Sequence, residues 1–546
     1  MYIKCAVLVL LLVAEFQTTL QISLPNDETY YAAVVEFPPS SSGTAKAKLK
    51  DNLQRMKAII ESEETRDLDI LIFPEYVLNN MEWKTFVPDP LQKIAPCDIP
   101  NNDWFLTEIS CAARSRNLYV VINLLEKEFC GNRTTDCDKS GFNTYNTNVV
   151  LDRQGRVISR YRKTNLYRYE WYSTNVKVKP ELATFDTDFG VTFGHFICFD
   201  MLFYEPSMIL INELNITDII YPTYWFSELP FLTAVQLQEG WAFANDVNLL
   251  AANANYPSEQ NTGSGIYAGK LGRISASIYE DETTKVHKAR VPKHLNRSTY
   301  EMPPITIEMP TLETKRLTKI GLLRDYNVDI FRTKLLPSNF TAVRELICHN
   351  TFCCQFDVNR TLISNSQLHS SYLYRLAAFS GVNTTHQRMD PSELSICAVI
   401  ACTSTDLYSC GYIFPEGVPV ANKYYFNYIN IIGKFRKANR RLIMPSTVDG
   451  AMMPLPVTTF VWNEIENANS TEVSITLNSS KADLLTFGIW ANYYTTAVSS
   501  HNLNPSLPEV LIPTRPTPTS AGILHTPKVF GILSGLFVLF FSIKTF

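Results

Sequence analysis

Apolar residues recur along the first half of the chain in two alternating rhythms. Ala45, Leu49, Leu53, Met56 and Ile60 fall on one face at helical spacing. Leu68 to Phe73 follows as an unbroken apolar run stopped by Pro74, the pattern of a strand buried on both faces. Leu118 to Leu124 is a second such run, and Asn148 to Tyr161 predicts a hairpin turning at Asp152 to Gly155. Further strands are predicted at Phe193 to Ile197, Asp218 to Tyr221 and Asn248 to Ala252. Helices at Tyr204 to Leu214 and Phe231 to Asn245 alternate with them. Over residues 28 to about 275 this alternation predicts α/β architecture, with sheets covered by helices.

The rhythm then changes. From about 276 to 310 the text is charged and contains Glu280, Asp281, Glu282, Pro292, Pro303, Pro304 and Pro310, and it reads as a boundary. Residues 311 to 510 favour strands and carry tight cysteine clusters, which predicts a β-rich accessory domain. Residues 511 to 520 are rich in Pro and Thr, as in an extended spacer. The expected division is therefore a leader over 1–22, a catalytic domain over 23–310, a disulfide-containing domain over 311–510, and a spacer with an anchor signal over 511–546.

Composition narrows the class. A chain of 546 residues exceeds what one core usually organises, and 46% apolar against 19% charged residues describes a packed globular protein. A net charge of −4 with no long basic run excludes a nucleic-acid groove. Lys4 followed by the apolar stretch Ala6 to Ala14 has the form of a secretory signal peptide. Eight N-x-Ser/Thr triplets agree with export and make Asn132, Asn215, Asn296, Asn339, Asn359, Asn383, Asn469 and Asn478 candidate glycosylation sites. Near the C-terminus, Val529 to Ile543 is apolar but short for a membrane span. Upstream lie the small residues Thr519, Ser520, Ala521 and Gly522, candidate attachment residues for a GPI anchor, and then a more polar stretch. The predicted location is the extracellular face of the cell membrane, the alternatives being a single short transmembrane helix or secretion after shedding.

Cysteine usage singles out one residue. Cys5 leaves with the leader, and eleven cysteines remain of twelve. Ten can form five disulfides: Cys97, Cys111, Cys130 and Cys137 in the first half, and Cys348, Cys353, Cys354, Cys397, Cys402 and Cys410 in the second. Cys198 is left over. No Cys or His pairs repeat at zinc spacing, so neither a metal nor a cofactor is expected.

Glu75, Lys163 and Cys198 each follow a predicted strand, at the edge where α/β folds gather ligand-binding side chains. Together these residue types suit amide hydrolysis. Lys163 would lower the thiol pKa and hold Cys198 as a thiolate nucleophile, Glu75 would take and return the proton, and Lys163 with the Phe199 backbone N–H would bind the oxyanion. Taken singly each residue has an ordinary reading: a solvated loop carboxylate, a solvated lysine beside Arg162, an inert buried thiol. A Cys–His pair is the rival, but His195 lies three residues before Cys198 within one strand and is not placed to reach it.

At these residues the sequence resembles the nitrilase superfamily, in its vanin (pantetheinase) and biotinidase branch. The motifs are Leu71-Ile72-Phe73-Pro74-Glu75, Arg160 to Tyr167, and Phe196 to Phe203. Later blocks are Tyr221-Pro222-Thr223-Tyr224-Trp225, Trp241-Ala242, Thr262 to Tyr267, and the cysteine clusters Cys348 to Cys354 and Ile396 to Gly411. The resemblance implies a four-layer αββα sandwich with a β-rich base domain. It also implies Glu75 as general base and acid, Lys163 as oxyanion stabiliser, Cys198 as nucleophile and Glu170 as a second glutamate orienting the lysine. Tyr224 and Trp225 are candidates to line the acyl site. The implied activity is cleavage of a small-molecule linear amide, pantetheine first. The alternatives are biotinidase-like action on biocytin, or a cell-surface ectodomain without turnover.

Overall fold

Helix α1 (Ala45–Ile60) starts where Thr44 accepts a hydrogen bond from the Ala47 N–H at 3.3 Å, and it buries Leu49, Leu53, Met56 and Ile60, the face its spacing predicts. The computed structural model describes residues 22–494 apart from 101–102, 131–136, 138–139, 178–179, 303–315, 364–369 and 383–392. The expected leader, except its last residue, lies outside the described residues. So do the spacer and anchor region with Thr519, Ser520, Ala521 and Gly522, and the sequons at Asn132 and Asn383.

The first half contains β1 (Thr29–Glu36), β2 (Ile70–Ile72), β3 (Tyr119–Phe129), β4 (Phe142–Leu151), β5 (Val157–Arg162), β6 (Ala183–Asp186), β7 (Thr192–His195), β8 (Asp218–Thr223), β9 (Glu228–Leu229), β10 (Asn248–Asn253), β11 (Ser264–Ala268), β12 (Arg273–Ser277) and β13 (Lys285–Pro292). All but β9 form two six-stranded mixed sheets, β13-β1-β2-β3-β4-β5 and β12-β11-β10-β8-β7-β6. Alternation along each strand explains the continuous apolar runs. Ala32, Val34, Ile70, Ile72 and Val121 face the second sheet, where they meet Phe193, Ile220, Leu250 and Ile266. Their neighbours Ala33, Val35, Leu71 and Val120 face α1 and α2 (Trp104–Arg116). Beyond the second sheet lie the short α3 (Ile209–Asn212) and α4 (Ala234–Asn245), which complete the αββα layering.

Two expectations are corrected here. The charged text after residue 276 is not all linker: Lys285–Pro292 pairs with β1 along its whole length, Thr29 opposite Pro292 and Glu36 opposite Lys285. Its alternating pattern hid its apolar positions, of which Ala289 and Val291 are buried. The helix predicted over Tyr204 to Leu214 is broken at its start, because Glu205 precedes Pro206 and is extended (φ −106°, ψ 122°).

The second half is a β-sandwich, following the short β14 (Leu323–Arg324), which pairs with β9. Its strands are β15 (Arg332–Leu335), β16 (Ala342–His349), β17 (Phe352–Leu362), β18 (Leu373–Val382), β19 (Glu393–Cys402), β20 (Tyr424–Arg436), β21 (Arg441–Asp449), β22 (Phe460–Glu466), β23 (Ser470–Leu477) and β24 (Leu484–Tyr493). They build the antiparallel sheets β15-β18-β19-β24-β21 and β16-β17-β20-β23-β22. The Cys354–Cys397 disulfide ties one sheet to the other through the core between them. The remaining disulfides join Cys97 to Cys111, Cys130 to Cys137, Cys348 to Cys353 and Cys402 to Cys410, and Cys198 is free and buried.

Helix α4 lies between the halves. Its Leu237 and Trp241 share one apolar cluster with Ile396, Ile400, Met444 and Trp490 of the sandwich. Gln236 donates to the Ser446 hydroxyl at 2.9 Å, and Asn492 donates to the Leu202 carbonyl at 3.0 Å, reaching the turn that carries Cys198. Among the described residues no helix is long and apolar enough to cross a membrane.

Candidate active site

Strands β2 and β5 of the first sheet run into Glu75 and Lys163, and β7 of the second runs into Cys198. The three loops therefore meet at one edge of the two-sheet sandwich. Each contains a non-glycine residue in the left-handed region: Tyr76 (φ 59°), Arg168 (φ 45°) and Cys198 itself (φ 48°). Such backbone costs about 1–2 kcal/mol per residue and is held only by its surroundings. At Tyr76 the hold is a 2.9 Å bond from its N–H to Asn123 Oδ1.

Lys163 Nζ donates to Glu75 Oε1 at 2.8 Å and to Glu170 Oε2 at 2.7 Å, and all three side chains are buried or nearly so. Glu75 also accepts from Asn146 Nδ2 at 2.6 Å and from the Tyr224 N–H at 2.8 Å. Asn146 bridges to Glu170 at 2.7 Å and is itself held by Asn123. Burial opposes the lysine's charge, yet Glu170 and Glu75 beside it hold its pKa well above the ordinary value, so it is an ammonium. Burial lifts the Glu75 carboxyl above its usual range, although Lys163 opposes the shift.

Cys198 differs from its expectation. Burial, reinforced by the Glu75 charge, pushes its thiol well above its ordinary value, and Lys163 only partly opposes this. The lysine does not hold a resting thiolate because its charge already serves two carboxylates. The thiol is neutral until a base takes its proton.

Asp200 joins the lysine loop to the cysteine loop. It accepts from Tyr161 Oη at 2.8 Å, from the Asn165 N–H at 2.9 Å and from the Ile197 N–H at 3.0 Å. Burial brings its pKa to about 6 against these bonds. His195 is no base for Cys198: its Nε2 lies 2.8 Å from Ser159 Oγ, and burial lowers it to about 3. Arg162 is not solvated either, since it donates to Glu126 at 2.6 Å while Lys163, the next residue, enters the site.

A cleft of about 330 Å³ opens over Glu75, Lys163, Glu170, Cys198 and Tyr224, and a narrower arm continues past Cys198 to Phe199, Trp225, Phe226 and Glu228. All seven predicted site residues thus gather around one space. Sequence reasoning did not single out Asn123, Asn146, Asp200, Glu228 or Leu323. Asn123 left a signal, being a polar position 1% exposed within the apolar run of β3, whereas Asn146 lies in a strand already rich in Asn and Thr. Among the described residues no group of His, Cys, Asp and Glu is placed to hold a metal ion. Of the described sequons, Asn215, Asn339, Asn359, Asn469 and Asn478 are exposed and Asn296 is half-buried.

The carbon-nitrogen hydrolase model matches residues 31–322, and the Vanin C-terminal domain model matches residues 320–497. Vanin-like protein 1 of Drosophila melanogaster is 40% identical over 493 residues, covering 87% of this chain and 87% of that one. Pantetheinase of Mus musculus is 30% identical over 423 residues, covering 73% of this chain and 79% of that one. The chain belongs to the carbon-nitrogen hydrolase family, in its vanin branch, and is an amidohydrolase acting on carbon–nitrogen bonds.

Proposed function

We propose that this protein is an extracellular hydrolase of a linear amide, with pantetheine as the leading substrate and pantothenate and cysteamine as products. The observation that carries the chemistry is the Lys163 ammonium shared by Glu75 and Glu170 in the cleft that also exposes Cys198. The 30% identity to proteins named pantetheinase supports the substrate.

Glu75 takes the Cys198 proton as sulfur attacks the amide carbon, and its raised pKa suits a group that must also return that proton. Lys163 and the Phe199 N–H stabilise the tetrahedral oxyanion, and Glu170 keeps the ammonium in position. The C–N bond breaks as Glu75 protonates the departing amine, leaving an acyl thioester on Cys198. Glu75 then deprotonates a water molecule, which attacks the thioester, and the acid leaves as the thiol recovers its proton. Tyr224 and Trp225 line the space that the substrate occupies.

Five disulfides and exposed sequons support export through an oxidising compartment, and the same reading includes glycosylation of those asparagines and a GPI anchor at one of Thr519 to Gly522. Incubating the purified protein with pantetheine and with biocytin tests the substrate. Cysteamine release from pantetheine alone is expected. Preference for biocytin reassigns the acyl group, and turnover of neither overturns the reading.

A further inference from the structure

The narrow arm of the cleft holds an acidic side chain that the chemistry above does not use. Glu228 lines it with Tyr167, Phe199, Trp225, Leu232 and Leu323. It is 4% exposed, and among the described residues its carboxyl makes no hydrogen bond or ion pair. An ionised carboxylate without a partner in such surroundings is strongly disfavoured, so the group keeps its proton. Burial and then the nearby Asp325 push it well above the carboxylate range, opposed only by Arg168. The result is a neutral acid, able to donate one hydrogen bond and accept another, facing aromatic and aliphatic walls.

The position of Glu75 decides which part of the substrate meets it. Glu75 lines the wide part of the cleft and not the arm, whereas Cys198 lines both. The amine that Glu75 protonates and the water it activates must therefore occupy the wide part. The acyl group, left bonded to Cys198, borders the arm, whose free space of about 20 Å³ admits one small group of that chain.

The second half of the chain sets this side chain's place. Strand β14 pairs with β9 so that Leu323 stands opposite Glu228, and the Asp325 N–H donates to the Leu229 carbonyl at 2.8 Å. Arg324 fastens the strand by donating to the Cys410 carbonyl at 2.8 Å.

Resting on the amide-hydrolase reading, we propose that Glu228 is a specificity-determining residue that hydrogen-bonds a neutral donor–acceptor group, an amide or a hydroxyl, on the acyl chain of the substrate. A polar site of this kind rejects chains that leave its carboxyl unpaired. Two cysteamine amides of equal acyl length provide the test, one being pantetheine and the other having a hydrocarbon acyl chain. The wild-type protein should prefer pantetheine in kcat/KM by about tenfold or more. Glu228→Leu should abolish that preference by slowing pantetheine while sparing the hydrocarbon amide, and Glu228→Gln, which still donates and accepts, should keep most of it. Equal loss on both amides in Glu228→Leu, with its melting temperature unchanged, would mean a merely structural role and overturns the proposal. So does an unchanged preference. Should Glu228→Leu not fold, a Glu228→Gln preference equal to that of the wild type upholds the proposal and loss of the preference overturns it. Absence of wild-type turnover on either amide would instead overturn the underlying amidase reading.

Discussion

The two halves of the molecule bury different things. The sandwich of the second half is filled by Phe, Ile, Leu and Val and crossed by the Cys354–Cys397 disulfide. The first half has an apolar core of comparable quality, yet at one edge it buries Glu36, Glu75, Lys163 and Asp200, each bound by several partners. A buried charge costs several kcal/mol unless it is paired and hydrogen-bonded. The sandwich also buries a charge, Arg360, held by the Pro337, Ser338 and Phe340 carbonyls, but the cluster of buried charges at one edge belongs to the first half, which points to a division between chemistry and support. The division has an exception, because β14 supplies Leu323 to the cleft wall.

The sharpest way to break the comparison is at the nucleophile. Cys198→Ala should lower kcat by about 10⁴-fold or more while leaving the melting temperature nearly unchanged. Substantial residual turnover would move the chemistry elsewhere. The converse experiment is to remove the inter-sheet disulfide with Cys354→Ala and Cys397→Ala together. A loss of about 2–5 kcal/mol in stability is expected, with kcat of the folded protein retained; a collapse of kcat with the fold intact would show that the sandwich does more than support.

A smaller effect tests the joint. A Cβ at Gly240 would sit 2.5 Å from the Pro445 carbonyl oxygen, so Gly240→Ala must push α4 away from β21. We expect a cost of about 1–3 kcal/mol, measured by denaturant unfolding. The smallest concerns Glu36, which accepts from Asn255, Thr262, Gly263 and Ser264 while burial raises its pKa to about 7. A carboxyl whose folded pKa is raised contributes stability below its ordinary value of 4.5 and loses it as pH rises towards about 7. Glu36→Gln should remove that part of the slope. His195 and His287, held to about 3 and about 4 by burial, act in the opposite direction as pH falls, so the difference between variant and parent isolates Glu36. An identical slope in both proteins would show that Glu36 titrates normally.

Much of the framework was legible from local text because its cause is local. Unbroken apolar runs marked β2 and β3, turn residues marked the β4–β5 hairpin, helical spacing marked α1, and the odd cysteine marked Cys198. The turn at Asp152 to Gly155 lies where its residues predict, with Gly155 at φ 72° and its N–H bonded to the Asp152 carbonyl at 2.8 Å. Strand β13 escaped because alternating charged residues on an edge strand look like a solvated linker.

For the site, the sequence by itself named the candidates for the chemistry: Glu75, Lys163 and Cys198 through their types and ordered motifs, with Glu170, Tyr224 and Trp225 beside them. Only the tertiary structure decided the protonation of that chemistry and the shape of the space around it. Whether Cys198 rests as thiol or thiolate depends on how far water is excluded and on how many carboxylates already share the Lys163 charge. Glu228 faces the cleft because a strand almost a hundred residues later in the chain holds it there. Burial and long-range charge are properties of the assembled fold, and no local pattern encodes them.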